Sequence, residues 1–292
     1  MVKASRQRFS GRYPALSMSI HRSVFLQSVY AGAQKGSEAL NDEVIERQWA
    51  HMERVIGWAG RIRETLEPIA LRRAGAVHFR PSSGGVAMVG LQADRPQRGK
   101  SGFRDLDRLA REFDDLYERH CVSVSHGRPT PEKQLQSWLT GNAYRHDRRM
   151  VALDSALADG VETLFVADEL ALPVAENRRV VCDMLALRKA PDGTCRPAII
   201  ELKAAREMTR LIEQVHGYSA CVEALSEHFE RLFTSVLGYD ITFAGPPEQW
   251  IVWPQAGETA DPREDALAAQ GIRLVGYRED GGGFTLRAGR AL

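Results

Sequence analysis

Cysteine is scarce in this chain, and its placement excludes two classes of small scaffold. Cys121, Cys182, Cys195 and Cys221 include no pair two or three residues apart, so neither a zinc knuckle nor a thioredoxin-type redox pair is encoded. The four read as buried thiols of a reducing compartment. No run of about 18 apolar residues occurs, so no membrane span is expected. The N-terminus also lacks the apolar centre of a secretory signal, which makes the cytoplasm the expected location. A glycine-rich phosphate loop, a serine nucleophile elbow and a His-Glu-x-x-His pair are all missing. Charge of one sign is not in excess either: 39 Lys and Arg stand against 38 Asp and Glu.

What is present is a chain of 292 residues with 43% hydrophobic content, enough for one large or two modest domains with their own cores. The near-neutral total hides an asymmetry. Residues 1–126 carry 20 basic and 14 acidic side chains, while residues 127–292 carry 19 and 24. Lys3, Arg6, Arg8, Arg12, Arg22 and Lys35 fall within the first 36 residues without an acid among them. That arm suits contact with nucleic acid, and equally the Arg/Ser-rich composition of a transit peptide. The organisation expected is a basic arm over 1–36, a mainly helical region over 37–126 and a mixed α/β domain over 127–292, divided at the linker SVSHGRPT.

Ile45, Trp49, Met52, Ile56 and Ala59 form one stripe of a long helix expected over 37–73, a possible dimerisation element. Residues 76–80 and 86–92 flank Pro81-Ser82-Ser83-Gly84-Gly85 and read as a β-hairpin. Residues 93–104 read as a loop, and Leu106 to Tyr117 as a second amphipathic helix. Beyond the linker, Thr130 caps a helix that has Pro131 and Glu132 in its first turn. A further helix is expected over 142–158. Strands follow over 162–171, 178–187 and 197–204, with Ala190-Pro191-Asp192-Gly193 turning the second into the third. A helix over 207–229, a strand over 249–253, a helix over 261–270 and a strand over 271–278 complete the pattern. Gly281-Gly282-Gly283 reads as a loop or hairpin turn.

The chemistry concentrates in 178–218. Asp183 interrupts the apolar run Val180-Val181-Cys182-Asp183-Met184-Leu185, and a carboxylate inside a buried strand needs a partner. Eighteen residues on, Glu201 and Lys203 interrupt Ala198-Ile199-Ile200-Glu201-Leu202-Lys203 and project to one face of their strand. If the two strands pair, two carboxylates and an ammonium converge. Such a group can hold a hard divalent cation and still present a positive charge to a phosphate. Gln214 and Tyr218 lie four apart on one face of the next helix, suited to hydrogen-bond a metal-bound water or a scissile phosphate.

Asp183, Glu201-x-Lys203 and Gln214-xxx-Tyr218 together resemble the PD-(D/E)XK, or restriction-endonuclease-like, nuclease superfamily. The Gln/Tyr helix is similar to the branch that includes RecB-type exonucleases. The resemblance covers about residues 130–278 and implies an αβββαβ core with a mixed sheet. It also implies Mg²⁺ or Mn²⁺ held by Asp183 and Glu201, Lys203 stabilising the attacking water or developing charge, and an added glutamate from the preceding helix. Glu132 is the best match for that glutamate, with Glu169 as a competitor. Cys182 stands where the family motif has proline. Arg206 and Arg210 flank the constellation and are candidate phosphate-binding residues. The expected activity is metal-dependent hydrolysis of DNA, with RNA, endo- or exonucleolytic cleavage and pathway left open. Two other readings stand beside it: a nuclease-fold binding module without turnover, and a regulatory protein that dimerises through its N-terminal helices.

Overall fold

The computed structural model describes residues 42–123, 127, 129–175, 178–208, 210–255 and 261–289. The basic arm expected over 1–36 lies outside the described residues. The architecture is mixed α/β, with one six-stranded mixed sheet, one three-stranded antiparallel sheet, and helices packed around them.

In chain order, α1 (Asp42–Thr65) and α2 (Glu67–Arg72) are followed by β1 (Val77–Ser82), β2 (Gly85–Gly90) and β3 (Arg98–Phe103). Then come α3 (Leu106–Arg111), α4 (Phe113–Tyr117) and a π-helical turn at Glu118–Val122. The second half runs α5 (Pro131–Arg145), α6 (Val151–Leu157), β4 (Glu162–Ala175), β5 (Arg178–Lys189), β6 (Cys195–Leu202), α7 (Leu211–Ala224) and α8 (Ser226–Leu237). It closes with β7 (Glu248–Pro254), α9 (Pro262–Ala268), β8 (Ile272–Asp280) and β9 (Gly283–Ala288). The large sheet has the order β4-β5-β6-β7-β8-β9. Its first three strands are antiparallel, β7 is parallel to β6, β8 is parallel to β7, and β9 returns antiparallel. From α5 onward the chain therefore contains two helices, an antiparallel three-strand meander, a helical pair and a parallel strand. A two-residue step at Gly281-Gly282 makes the last hairpin.

Alternation along the strands decides the layers. In β7, Trp250 and Val252 enter one core, while Ile251 and Trp253 enter another with Leu211, Val215 and Leu267. On the first face of the sheet, Leu135 and Leu139 of α5 pack with Met184, Ala186 and Ile200. The same core holds Phe79, Met88, Leu106 and Phe113, so the N-terminal elements share it across the linker. The opposite face carries Tyr218, Phe229 and Phe233 of α7 and α8, together with Met52, Val55 and Ile56 of α1. Of the apolar stripe of α1, Met52, Ile56 and Ala59 are consumed within the chain, while Trp49 remains exposed. Glu53 pairs with Arg231, and Gln48 Nε2 donates to Pro173 O at 2.8 Å. No helix among the described residues is long and apolar enough to cross a membrane.

Several sequence expectations need correction. Residues 93–104 contain β3, an exposed edge strand whose Arg-Gly-Lys-Ser-Gly composition hides any alternation. Gly99 is required in it, because a Cβ there would collide with the Met88 carbonyl. The helix expected over 142–158 is interrupted where Asp147 and Arg148 adopt left-handed φ values of 49° and 69°, and it resumes only at Val151. The helix expected over 207–229 breaks at Leu225 and continues as α8 to the glycine cap at Gly238. The turn at Ala190–Gly193 forms as expected: Gly193 N–H donates to Ala190 O at 2.9 Å, and Gly193 takes a φ of +86°.

Candidate active site

The β5–β6 register sets the site. Met184 pairs with Ile200, so one step further along Asp183 lies opposite Glu201. Cys182 faces one core and Met184 the other, so the strand's alternation breaks at Asp183. The Asp183 carboxylate turns to the end of β6, where Oδ2 accepts the Leu202 N–H at 2.8 Å. Glu201 is buried, and its Oε1 accepts from Lys203 Nζ at 2.6 Å and from Gln214 Nε2 at 2.5 Å. Four of the residues singled out in the sequence therefore converge at the open end of two strands and the first turns of α7.

The backbone around Lys203 is fixed from three sides. Its N–H donates to Val252 O at 2.9 Å, and its carbonyl accepts from the Tyr277 hydroxyl at 3.2 Å. The next amide, Ala204 N–H, donates to Glu132 Oε1 at 3.0 Å. Glu132 stands in the first turn of α5 because Thr130 caps that helix through the Lys133 N–H. One turn on, Gln136 Nε2 donates to the Asp183 carbonyl at 3.1 Å and to Asp168 Oδ2 at 3.2 Å. Helix α5 thus meets the strand ends on the side opposite α7.

Electrostatics mark the carboxylates as a strained pair. Burial, joined by the neighbouring Asp183, pushes Glu201 up to about 7, against the opposing pull of Lys203. Burial also raises Asp183 from its ordinary value, with Glu132 adding to the effect. Burial alone would lower Lys203, but Glu201, Asp183 and Glu132 outweigh it and hold the ammonium above its ordinary value. The two carboxyls are hard oxygen donors whose mutual repulsion a divalent cation would relieve, so the residues fit Mg²⁺ or Mn²⁺. Asp183 and Glu201 would hold it; Glu132 is turned to the Ala204 N–H, and no group of three metal-ligating side chains is gathered among the described residues.

Other sequence candidates lie elsewhere. Tyr218 is fully buried in the core under β4 and β5, where its hydroxyl donates to Leu170 O at 3.2 Å. It shares a helix face with Gln214, but one turn deeper over the sheet, and does not reach the carboxylates. Tyr218→Phe should therefore cost about 1 kcal/mol of stability, by loss of one hydrogen bond, and leave the chemistry at the site unaltered. Thermal unfolding alongside any turnover assay checks this. Arg206 lies over the Trp253 ring at 4.4 Å and donates to Asp261, Glu264 and Pro254 O, so it clamps α9 to the loop before α7. Its guanidinium is directed at those two acids and not at Asp183 or Glu201. Arg210 is exposed in a left-handed conformation just before α7. Glu169 pairs with Arg80 and Lys133.

The residues that sequence reasoning passed over form a buried ionic network beside the site. Asp168 is fully buried and accepts from His78 Nε2 at 2.6 Å, Arg80 Nε at 2.7 Å and Arg80 Nη2 at 2.5 Å. Burial opposes its charge, but Arg80 and His78 prevail and hold Asp168 far below the usual carboxylate range. Glu169 takes a φ of +44°, which turns its side chain to the same side as Asp168, so consecutive residues both meet Arg80. The signal was available: Asp168-Glu169 sits between Phe165-Val166-Ala167 and Leu170-Ala171, two consecutive acids in an apolar strand. Comparison with protein-family models, curated proteins and solved structures finds no match to the chain.

Proposed function

We propose that the chain is a divalent-metal-dependent nuclease with a restriction-endonuclease-like αβββαβ core, α5 through β7, that hydrolyses phosphodiester bonds of DNA. The observation that carries this reading is the meeting of Asp183, Glu201, Lys203 and Gln214 at one sheet end, with Glu132 across from them. A bound Mg²⁺ or Mn²⁺ supplies polarisation of the phosphoryl oxygen and a lowered pKa for the attacking water. Asp183 and Glu201 bind the ion. Lys203 offsets the charge that builds on the phosphoryl oxygens in the transition state. Gln214 is a positioning residue, fixing the Glu201 carboxylate by donation to Oε1. Tyr277, Val252 and Glu132 hold the Lys203–Ala204 backbone so that the ammonium stays at the mouth.

Purified protein given Mg²⁺ or Mn²⁺ is tested on linear, circular, single-stranded and flapped DNA. The expected result is cleavage of at least one of these, abolished by EDTA. Absence of metal-dependent cleavage across the panel, and on RNA, contradicts the proposal.

A further inference from the structure

Beside the carboxylates, between β2–β3 and the start of α5, lies a cleft of about 380 Å³. Four basic side chains line it, Arg80, Arg98, Lys100 and Lys133; Glu169, also in the lining, pairs with Arg80 and Lys133, and Arg80 pairs with Asp168 as well. Helix α5 borders the cleft through Lys133 and meets the candidate active site through Glu132 and Gln136. Lys133 lines the cleft, and burial lowers its ammonium below the ordinary value despite the opposing pull of Asp183. Gln136, one turn along, touches the Asp183 backbone and the Asp168 that anchors Arg80. The wall opposite α5 is β3, exposed from Arg98 to Gly102, with Lys100 lying over the Phe103 ring at 5.5 Å. Thr130, which caps α5, also borders the cleft, so the positive end of that helix dipole adds to the field.

We propose that this cleft holds the sugar–phosphate backbone of one nucleic-acid strand, next to the phosphate that the carboxylate site attacks. The proposal rests on the nuclease reading and adds where the substrate strand runs. A concave strip of cations binds phosphates without reading bases, because its contacts are charge-assisted and independent of sequence. The volume is far too small to enclose a duplex. A duplex would engage it through a single backbone. The basic strand β3 then has a function as well as a place at the sheet edge, where charged side chains also discourage strand-to-strand association.

The test measures binding without turnover. Fluorescence anisotropy of labelled single-stranded and duplex DNA is followed in EDTA with wild type, Asp183→Asn, Lys100→Gln and the double variant Arg98→Glu/Lys100→Glu. A single strand with neutral methylphosphonate linkages serves as control. Wild type and Asp183→Asn should bind the charged strands alike and more weakly with rising salt. The double variant should lose about tenfold or more in affinity and flatten the salt slope by roughly 1 to 2. Lys100→Gln should shift both in the same direction by less, and the methylphosphonate strand should bind poorly to every protein. Charged-strand binding that is unchanged in the double variant, or absent in wild type, overturns the proposal. So does equal binding of the neutral strand. Because no cleavage is read, a failed cleft leaves the nuclease reading untouched, and cleft-dependent binding without cleavage in the separate metal assay refutes only the latter.

Discussion

Replacing Lys203 by alanine, or Asp183 by asparagine, lowers DNA cleavage by at least about 10²–10³-fold, the loss typical of one preorganised electrostatic group. DNA affinity stays near the wild-type value, since it comes from phosphate contacts elsewhere. Neither change should unfold the protein. The Lys203 side chain is part-exposed, and an asparagine at 183 still offers an oxygen to the Leu202 N–H. Asparagine also removes a buried like charge beside Glu201, so Asp183→Asn should melt no lower than wild type in EDTA. Function and stability would then move in opposite directions, as expected where a site stores repulsion that its ligand relieves. Single-turnover cleavage and thermal unfolding of the same preparations check both halves. Wild-type rates in either variant would show that the activity arises elsewhere.

The second large effect concerns stability. Asp168→Asn leaves the buried His78 and the half-buried Arg80 facing a neutral amide, and breaking a buried pair of this kind costs about 3–5 kcal/mol. The midpoint of thermal unfolding should fall by on the order of 10 °C. The pH dependence follows from the direction of the shift. The Asp168 carboxyl is depressed in the folded protein, so its contribution is complete above the unfolded value, near about pH 4. It is lost progressively as pH falls below that value. The stability gap between wild type and Asp168→Asn should therefore be constant above about pH 5 and narrow steadily toward pH 2. Urea unfolding across that range measures it, and a gap that does not narrow would mean that the carboxylate charge is not what stabilises the network.

How much of this could be read from the sequence depended on how local the determining physics was. The strands β4 to β8 were legible because apolar residues run through them, and the helix start at Thr130-Pro131 because a cap and a ring-fixed φ announce it. Strands β3 and β9 were not, since edge strands with a wet face carry no buried stripe. Asp183 and Glu201 stood out because a carboxylate in an apolar strand is costly, and the turn at 190–193 supplied the pairing that brings them together. The Asp168 network was hidden for the opposite reason. Its partners, His78 and Arg80, are about ninety residues away, and only the packing of β1 against β4 brings them within reach. Tyr218 shows the limit of spacing arguments. A four-residue interval fixes the helix face but not the depth, and one turn separates the active-site mouth from the core.

Calorimetric titration of Mn²⁺ into the metal-free protein near neutral pH tests the central claim most directly. The account predicts saturable binding to wild type that is lost in Asp183→Asn/Glu201→Gln, a pair of substitutions that keeps the shape and removes the charge. Equal binding to the two proteins, or none to wild type, would contradict it.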